Sequence, residues 1–402
     1  MRTIAQATVL ILVAALSLML VSGCSNPKTG SLYDPNATFR PQPTITSVLP
    51  AGGAFGGMDT ITINGTNFSS ALSENTVYFN ATPATLLSAS PTAIKLLAPL
   101  VVLDSIGVRV AVLGSDLFSN TYQYKLSAGV AAFGGLLSTE TATSVATDNS
   151  GNLYSGFSNL GAESGILEFT PDGTRSTYAP ATAGVALWTC MNFGPGGYLY
   201  GARNIRALYR FAPGGGTSAA LWTQVLGSTF SVFDFDQDGN VWAGGNMSNI
   251  YRIAQDKSVT TYPVSVSAVH SMRVYSGYLY FAARSDAGEK VWRAQISASG
   301  LGTPEVYFDF ASAYPSNMAL AITFSSDGIL YIGTDSPDGL VVVNPDKSYS
   351  APFSAYVDIY TPGFFSLAWG AGNDLYATSS TGILMKIIVR GKTSAPYYGS
   401  SM

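Results

Sequence analysis

Charge is what this chain has least of. Asp, Glu, Lys and Arg make up only 11% of its 402 residues, against about 25% in an ordinary soluble domain. Long solvated helices and coiled coils need such residues on their outer faces, so an architecture built from them is excluded. Histidine occurs once and cysteine twice, which leaves no His-rich metal centre and no disulfide framework. Twenty basic residues stand against twenty-four acidic ones, for a net charge of −4, and the basic footprint of a nucleic-acid binder is missing. Beyond the first two dozen residues no apolar run is long enough for a helix to span a bilayer. What the chain does have is 47% hydrophobic residues, with 42 Gly, 23 Tyr and 20 Phe. That much apolar and aromatic material buries a core and argues against disorder over most of the length. The balance fits an extracytoplasmic β protein of two or three domains.

The chain opens Met1-Arg2-Thr3 and continues with an apolar run to Val21, then Ser22-Gly23-Cys24. A basic start, an apolar stretch and small residues before a cleavage point make a secretory signal over residues 1–23. With its cysteine, this end resembles a bacterial lipobox. The resemblance implies that Cys24 is diacylated, palmitate included, and that the new amino end is acylated in turn. Several acyl chains anchor a protein stably where one does not. Ser25 after the cysteine favours the outer membrane by the bacterial sorting rule, so a lipid-anchored protein of the cell envelope is expected. If Cys24 is lipidated, Cys190 has no partner, and its apolar surroundings suggest a small buried hydrophobe. Residues 24–42, with Pro27, Gly30, Pro35 and Pro41, read as a flexible tether.

Residues 43–126 hold short alternating strands. Pro43-Thr44-Ile45-Thr46-Ser47-Val48-Leu49-Pro50 leads into a glycine-rich turn and then Thr60-Ile61-Thr62-Ile63-Asn64-Gly65-Thr66-Asn67-Phe68. Ile61 and Ile63 against Thr60 and Thr62 give the period of two of a half-buried strand. Val77 and Phe79, Ile94 and Leu96, then Val108, Val110 and Val112 repeat it, and Tyr122 and Tyr124 close the segment. In this order and length the segment resembles an IPT/TIG domain, an immunoglobulin-like β-sandwich. In bacterial surface proteins the resemblance implies a spacer or adhesion module. No catalytic set is visible among its scattered acids.

From residue 128 to 391 the chain repeats a turn followed by an apolar–aromatic pair. The aromatic members are Tyr154, Tyr200, Trp242, Tyr280, Tyr331 and Tyr376, separated by 46, 42, 38, 51 and 45 residues. A period in the low forties with four short strands per unit indicates a β-propeller, here of six blades. The sixth repeat lacks an outer strand, and Val130 to Leu137 would supply it, leaving residues 392–402 as a polar tail. The turn chemistry resembles the NHL and gluconolactonase-like group of propellers. This resemblance implies fold more than function, because the architecture hosts unrelated activities. The fold class expected is therefore all-β, a sandwich followed by a six-bladed propeller.

Ligands in such propellers generally meet the face opposite the turns between first and second strands. Loops leading into the inner strands offer Trp188, Asn192, Phe230, His270, Asn317 and Phe365, with Tyr314 nearby, and loops between second and third strands add Arg203, Arg206, Arg284 and Asp335. Aromatic faces with planar hydrogen-bonding groups suit a glycan, a peptide or a partner protein. A non-catalytic binding protein without a cofactor is the expectation. The alternative is a lactonase-like hydrolase, for which the gluconolactonase resemblance implies a divalent metal such as calcium in the channel. Glu140, Asn192 and Asn317 would approximate its oxygen ligands. Asp234, Asp236 and Asp238 match the start of a calcium loop, but its twelfth position is Gly245 instead of Glu.

Overall fold

A computed structural model describes residues 39–184, 186–354 and 363–401. The signal segment, Cys24 and most of the tether lie outside the described residues. Among these, no helix is long and apolar enough to cross a membrane.

The alternation in the first domain builds two facing sheets. One orders Thr44–Leu49, Thr60–Thr66, Ala93–Leu97 and Leu86–Ser90; the other carries Tyr122–Ser127, Leu103–Val112 and Asn75–Phe79. Ile61, Ile63, Val77, Phe79, Ile94, Leu96, Val108 and Val110 are all fully buried between the sheets. The last tether residues are fastened to this sandwich: Arg40 pairs with Glu74 at 2.6 Å, and its N–H donates to the Gly114 carbonyl.

The repeats fold into six sheets whose innermost strands touch one another in cyclic order and close a ring. The inner strands are Glu140–Thr147 in blade one, Cys190–Gly194 in blade two, Val232–Phe235 in blade three, Ala268–Tyr275 in blade four, Ala319–Phe324 in blade five and Phe364–Trp369 in blade six. Blade six takes its outer strand from Val130–Ala132, which pairs with Leu384–Ile388. That strand is shorter than the stretch to Leu137 expected from sequence. Phe133 makes the last backbone bond to Leu384, and its ring packs between Phe169 and Tyr376.

The repeated turn has a backbone reason. Gly151, Gly197, Gly239, Gly277 and Gly328, each three residues before the aromatic, have φ between +73° and +83°. A side chain is strained there, so glycine holds the reversal. The aromatic that follows is buried in all six repeats. Tyr154 packs on Phe193 of the next blade at 4.8 Å between ring centroids, Tyr200 on Phe235 at 5.1 Å, Tyr280 on Phe324 at 4.6 Å and Tyr331 on Trp369 at 5.3 Å. Four of the six blades thus set a ring against the end of the successor's inner strand, while Trp242 packs on Tyr262 of its own blade and Tyr376 on Phe133.

The two domains touch directly. Asp59 meets Arg390 at the end of blade six at 2.9 Å, and the Arg390 guanidinium lies 4.5 Å from the Phe55 ring centroid. Met58 packs on the blade-six core.

The polar carboxyl-terminal segment is bound to the propeller. It crosses the face that carries the turns: Lys392 pairs with Asp327 at 2.5 Å, Ala395 N–H donates to the Phe324 carbonyl, and the Ser400 carbonyl accepts from Asn149. Tyr397 enters the central channel, where Arg273 covers its ring with Cζ at 3.8 Å from the centroid. Arg273 is itself buried, paired to Asp234 at 2.9 Å, and donates to the carbonyls of Ala395 and Pro396. A buried guanidinium holds the tail because the tail supplies its acceptors. Removing residues 392–402 should lower stability by about 3 kcal/mol, read as a fall in the urea unfolding midpoint of the otherwise intact chain.

Candidate functional site

The expected site residues divide into three groups. Asn192, His270 and Phe365 line the central channel with residues from all six inner strands. Part of this convergence comes from β-bulges. The pairing register breaks between Ala142 and Ser144, Val269 and Ser271, Ala319 and Ala321, and Phe364 and Ser366. A bulge re-aims the extra side chain, and His270 and Phe365 are extra residues of this kind.

The channel itself is nearly full. Its cavity measures about 50 Å3, room for one or two water molecules. Asn192 Nδ2 donates to the Phe233 carbonyl at 3.0 Å, and Thr189 Oγ1 to the Ser231 carbonyl at 2.8 Å, so both tie blade two to blade three. Cys190 also lines the channel, and burial pushes its thiol up to about 12. It is a packed thiol and no nucleophile at neutral pH.

At the mouth, His270 Nε2 stands 3.4 Å from Glu289 Oε1, which accepts from Arg284 Nε at 2.7 Å. Glu289 is 3% exposed, and its second oxygen has no partner among the described residues. Burial pushes the Glu289 carboxyl up, but His270 and Arg284 outweigh it and hold the group below its ordinary value of 4.5. Sequence reasoning found His270 and Arg284 and missed Glu289. The signal was the hairpin Arg284 to Glu289, which returns a carboxylate beside the arginine. The second Glu289 oxygen is buried as well as unpaired among the described residues, so the cluster is closed at this point to a ligand.

A second group, Tyr314, Asn317 and Asp335, sits together on the loops of blade five. Asp335 Oδ1 accepts the Met318 N–H at 2.7 Å, the Tyr314 hydroxyl donates to Asp338 at 2.7 Å, and the Asn317 N–H donates to the Tyr314 carbonyl. These contacts shape a loop and leave part of Tyr314 and Asn317 open.

A third group is corrected outright. Trp188 is 1% exposed and Phe230 fully buried, so neither offers a ring to a ligand. Trp188 Nε1 donates to Glu163 at 2.9 Å, and Arg203 lies over its ring at 4.7 Å, forming a seam between blades one and two. Phe230 packs edge-on against Tyr251 at 5.4 Å.

The proposed metal ligands do not fit a cation. Glu140 is held bidentately by Arg175, both contacts at 2.8 Å, and also accepts the Leu137 N–H. Asn192 faces the channel and Asn317 the blade-five loop. The calcium-loop acids also diverge. Asp234 pairs with Arg273, Asp236 accepts from Asn240 and Trp242 within its own turn, and Asp238 is exposed. Among the described residues no group of three or more His, Cys, Asp or Glu is placed to hold a metal.

The fold and this face define an immunoglobulin-like sandwich joined to a β-propeller. Residues 43–126 match the model of the IPT/TIG domain. None of the curated proteins compared by sequence matches the chain. Among solved structures the chain is similar to an auxiliary nutrient binding protein from Bacteroides thetaiotaomicron, with TM-score 0.52, 11% identity, and coverage of 88% of this chain and 98% of that one. It is also similar to a putative phosphatase from the same organism, with TM-score 0.51, 11% identity, and coverage of 87% and 97%. A gluconolactonase from Xanthomonas campestris has TM-score 0.50 and 14% identity over 62% of this chain and 86% of its own. At these identities the likeness is one of fold.

The depressed Glu289 carboxyl gives a pH signature. Its pairing contributes stability above the ordinary value of 4.5, and that contribution is lost as pH falls below it. Glu289→Gln should therefore be less stable than wild type at pH 7, with the difference shrinking towards pH 3.5, as followed by urea unfolding at both pH values.

Proposed function

We propose that the chain is a lipid-anchored, non-catalytic protein of the bacterial cell envelope, whose propeller binds a glycan, a peptide or a partner protein. The anchor is Cys24, the remaining tether gives reach, and the IPT/TIG domain is the spacer that carries the disc. The observation that supports binding over channel chemistry is the channel itself: about 50 Å3 of space, with its own tail seated in one end. A propeller hydrolase of the gluconolactonase type would need a metal and a substrate there, and the nearby carboxylates are committed to arginines.

The Asp59–Arg390 contact supports presentation, because it couples the spacer to the disc. The likeness to the nutrient-binding protein runs over 88% of this chain, whereas the likeness to the gluconolactonase covers 62%. The putative phosphatase matches 87% of the chain as well, so the longer match reflects the two-domain arrangement and does not separate binding from catalysis.

Attachment and metal dependence have separate tests. In a bacterial host the full chain should incorporate labelled palmitate and sediment with membranes. Cys24→Ala should lose the label and move to the soluble fraction; an unchanged distribution would remove the anchor from this reading. Melting of the full chain in EDTA should not shift on adding excess calcium. A ligand at a hundred times its Kd would add about 2.7 kcal/mol, so a clear rise would restore the metal-dependent alternative.

A further inference from the structure

A groove of about 430 Å3 opens between blades three and four, away from the channel. Two prolines line it. Pro263 ends the outer strand of blade three, Val259–Pro263, and Pro304 stands between Gly300–Leu301 and Glu305–Phe308, the two pieces that edge blade four. A proline has no N–H for the ladder: the edge of blade four is interrupted at Pro304, while Pro263 still pairs with Asn249 as the last residue of its strand. The register against the outer strand also breaks between Val291 and Trp292. The interruption uncovers Trp292, which lies opposite Phe281 in the neighbouring strand, and Tyr262 of blade three completes the wall. Gly300, at φ +114°, comes so near that a Cβ there would meet the Tyr262 hydroxyl at 2.3 Å, which keeps this ring in place.

Three properties specify the occupant. No Asp, Glu, Lys, Arg or His lines the groove, so a charged ligand would lose hydration and gain no counter-charge. The aromatic wall suits the flat C–H face of a sugar ring. The Trp292 Nε1 donor has no acceptor among the described residues. That nitrogen is buried, and a hydroxyl oxygen brought to it by a small shift of the ring would satisfy it, whereas a purely apolar occupant would leave it unpaired. Ser265 and Thr303 add exposed hydroxyls at the rim. Beyond Val264–Val266 a second hollow of about 280 Å3 continues, lined by Ser248, Ser267, Ser285 and Asp286. The volume of the first hollow lies in the range of about 300–1,000 Å3 usual for small-molecule sites.

We infer that this groove binds a neutral oligosaccharide, with one ring against Trp292 and Tyr262 and the next sugar units over the serine-lined hollow. The inference rests on the binding reading above and not on the lipid anchor.

Isothermal titration of the full chain with maltohexaose, cellohexaose and xylohexaose tests it, with polygalacturonate as the charged comparison. Saturable binding of at least one neutral probe is expected, and polygalacturonate should not bind. Trp292→Phe keeps the ring and removes the donor, and should weaken binding about tenfold. Thr303→Trp fills the groove from an exposed position and should abolish binding while leaving the melting midpoint unchanged. No binding of any neutral probe, or preference for polygalacturonate, overturns the inference. Binding that neither substitution alters also overturns it, while leaving the propeller a binding protein with its site elsewhere.

Discussion

The ring depends on one repeated contact, an aromatic side chain of one blade set against the end of the next blade's inner strand. Tyr154 on Phe193, Tyr200 on Phe235, Tyr280 on Phe324 and Tyr331 on Trp369 are versions of it. Offset and edge-on ring pairs add about 0.5–1.5 kcal/mol beyond the area they bury. More important is their placement, since a ring wedged between adjacent sheets fixes the angle between them. That angle determines whether six sheets close without a gap. A chain with so few charges depends on such contacts, having little else to hold one sheet to another.

Much of the architecture was legible because its signals are local. The turn glycines need a positive φ wherever the strand pair reverses, and the aromatic three residues on needs a neighbouring sheet. Together they wrote the period into the sequence. The alternation at Ile61 and Ile63 was equally direct, since a half-buried strand must alternate. The borrowed strand at Val130 could be anticipated because the sixth repeat visibly lacked one. Its length could not, because the pairing ends after Phe133 N–H bonds to Leu384, a partner far along the chain.

The candidate site was read less well, and the reason is physical. Loop position indicates which face a residue approaches, but not whether a neighbouring blade covers it. Trp188 and Phe230 looked like ligand-stacking rings and are buried at seams. Glu163, which takes the Trp188 N–H, lies in another blade. The Glu140 oxygens are spent on an arginine, and the Asn192 amide is oriented by the bond that its nitrogen donates to the Phe233 carbonyl. The tail's role was not visible for a related reason: polarity does not say where a segment docks, and its backbone carbonyls are what Arg273 requires. The groove at Trp292 escaped notice because its walls come from two blades and meet only when the blades stand side by side.

The strand exchange in blade six also bears on how the molecule is made. Val130–Ala132 leaves the ribosome early, and its partner Leu384–Ile388 follows about 250 residues later. Until that partner arrives the growing ring has an open seam and a strand with nothing to pair with. The sandwich ahead of it has every strand it needs and can fold first. If the chain is exported as its amino end suggests, the ring must pass the membrane unfolded and close only on the far side. The segment that follows blade six emerges after both strands of that seam and seats in the finished channel.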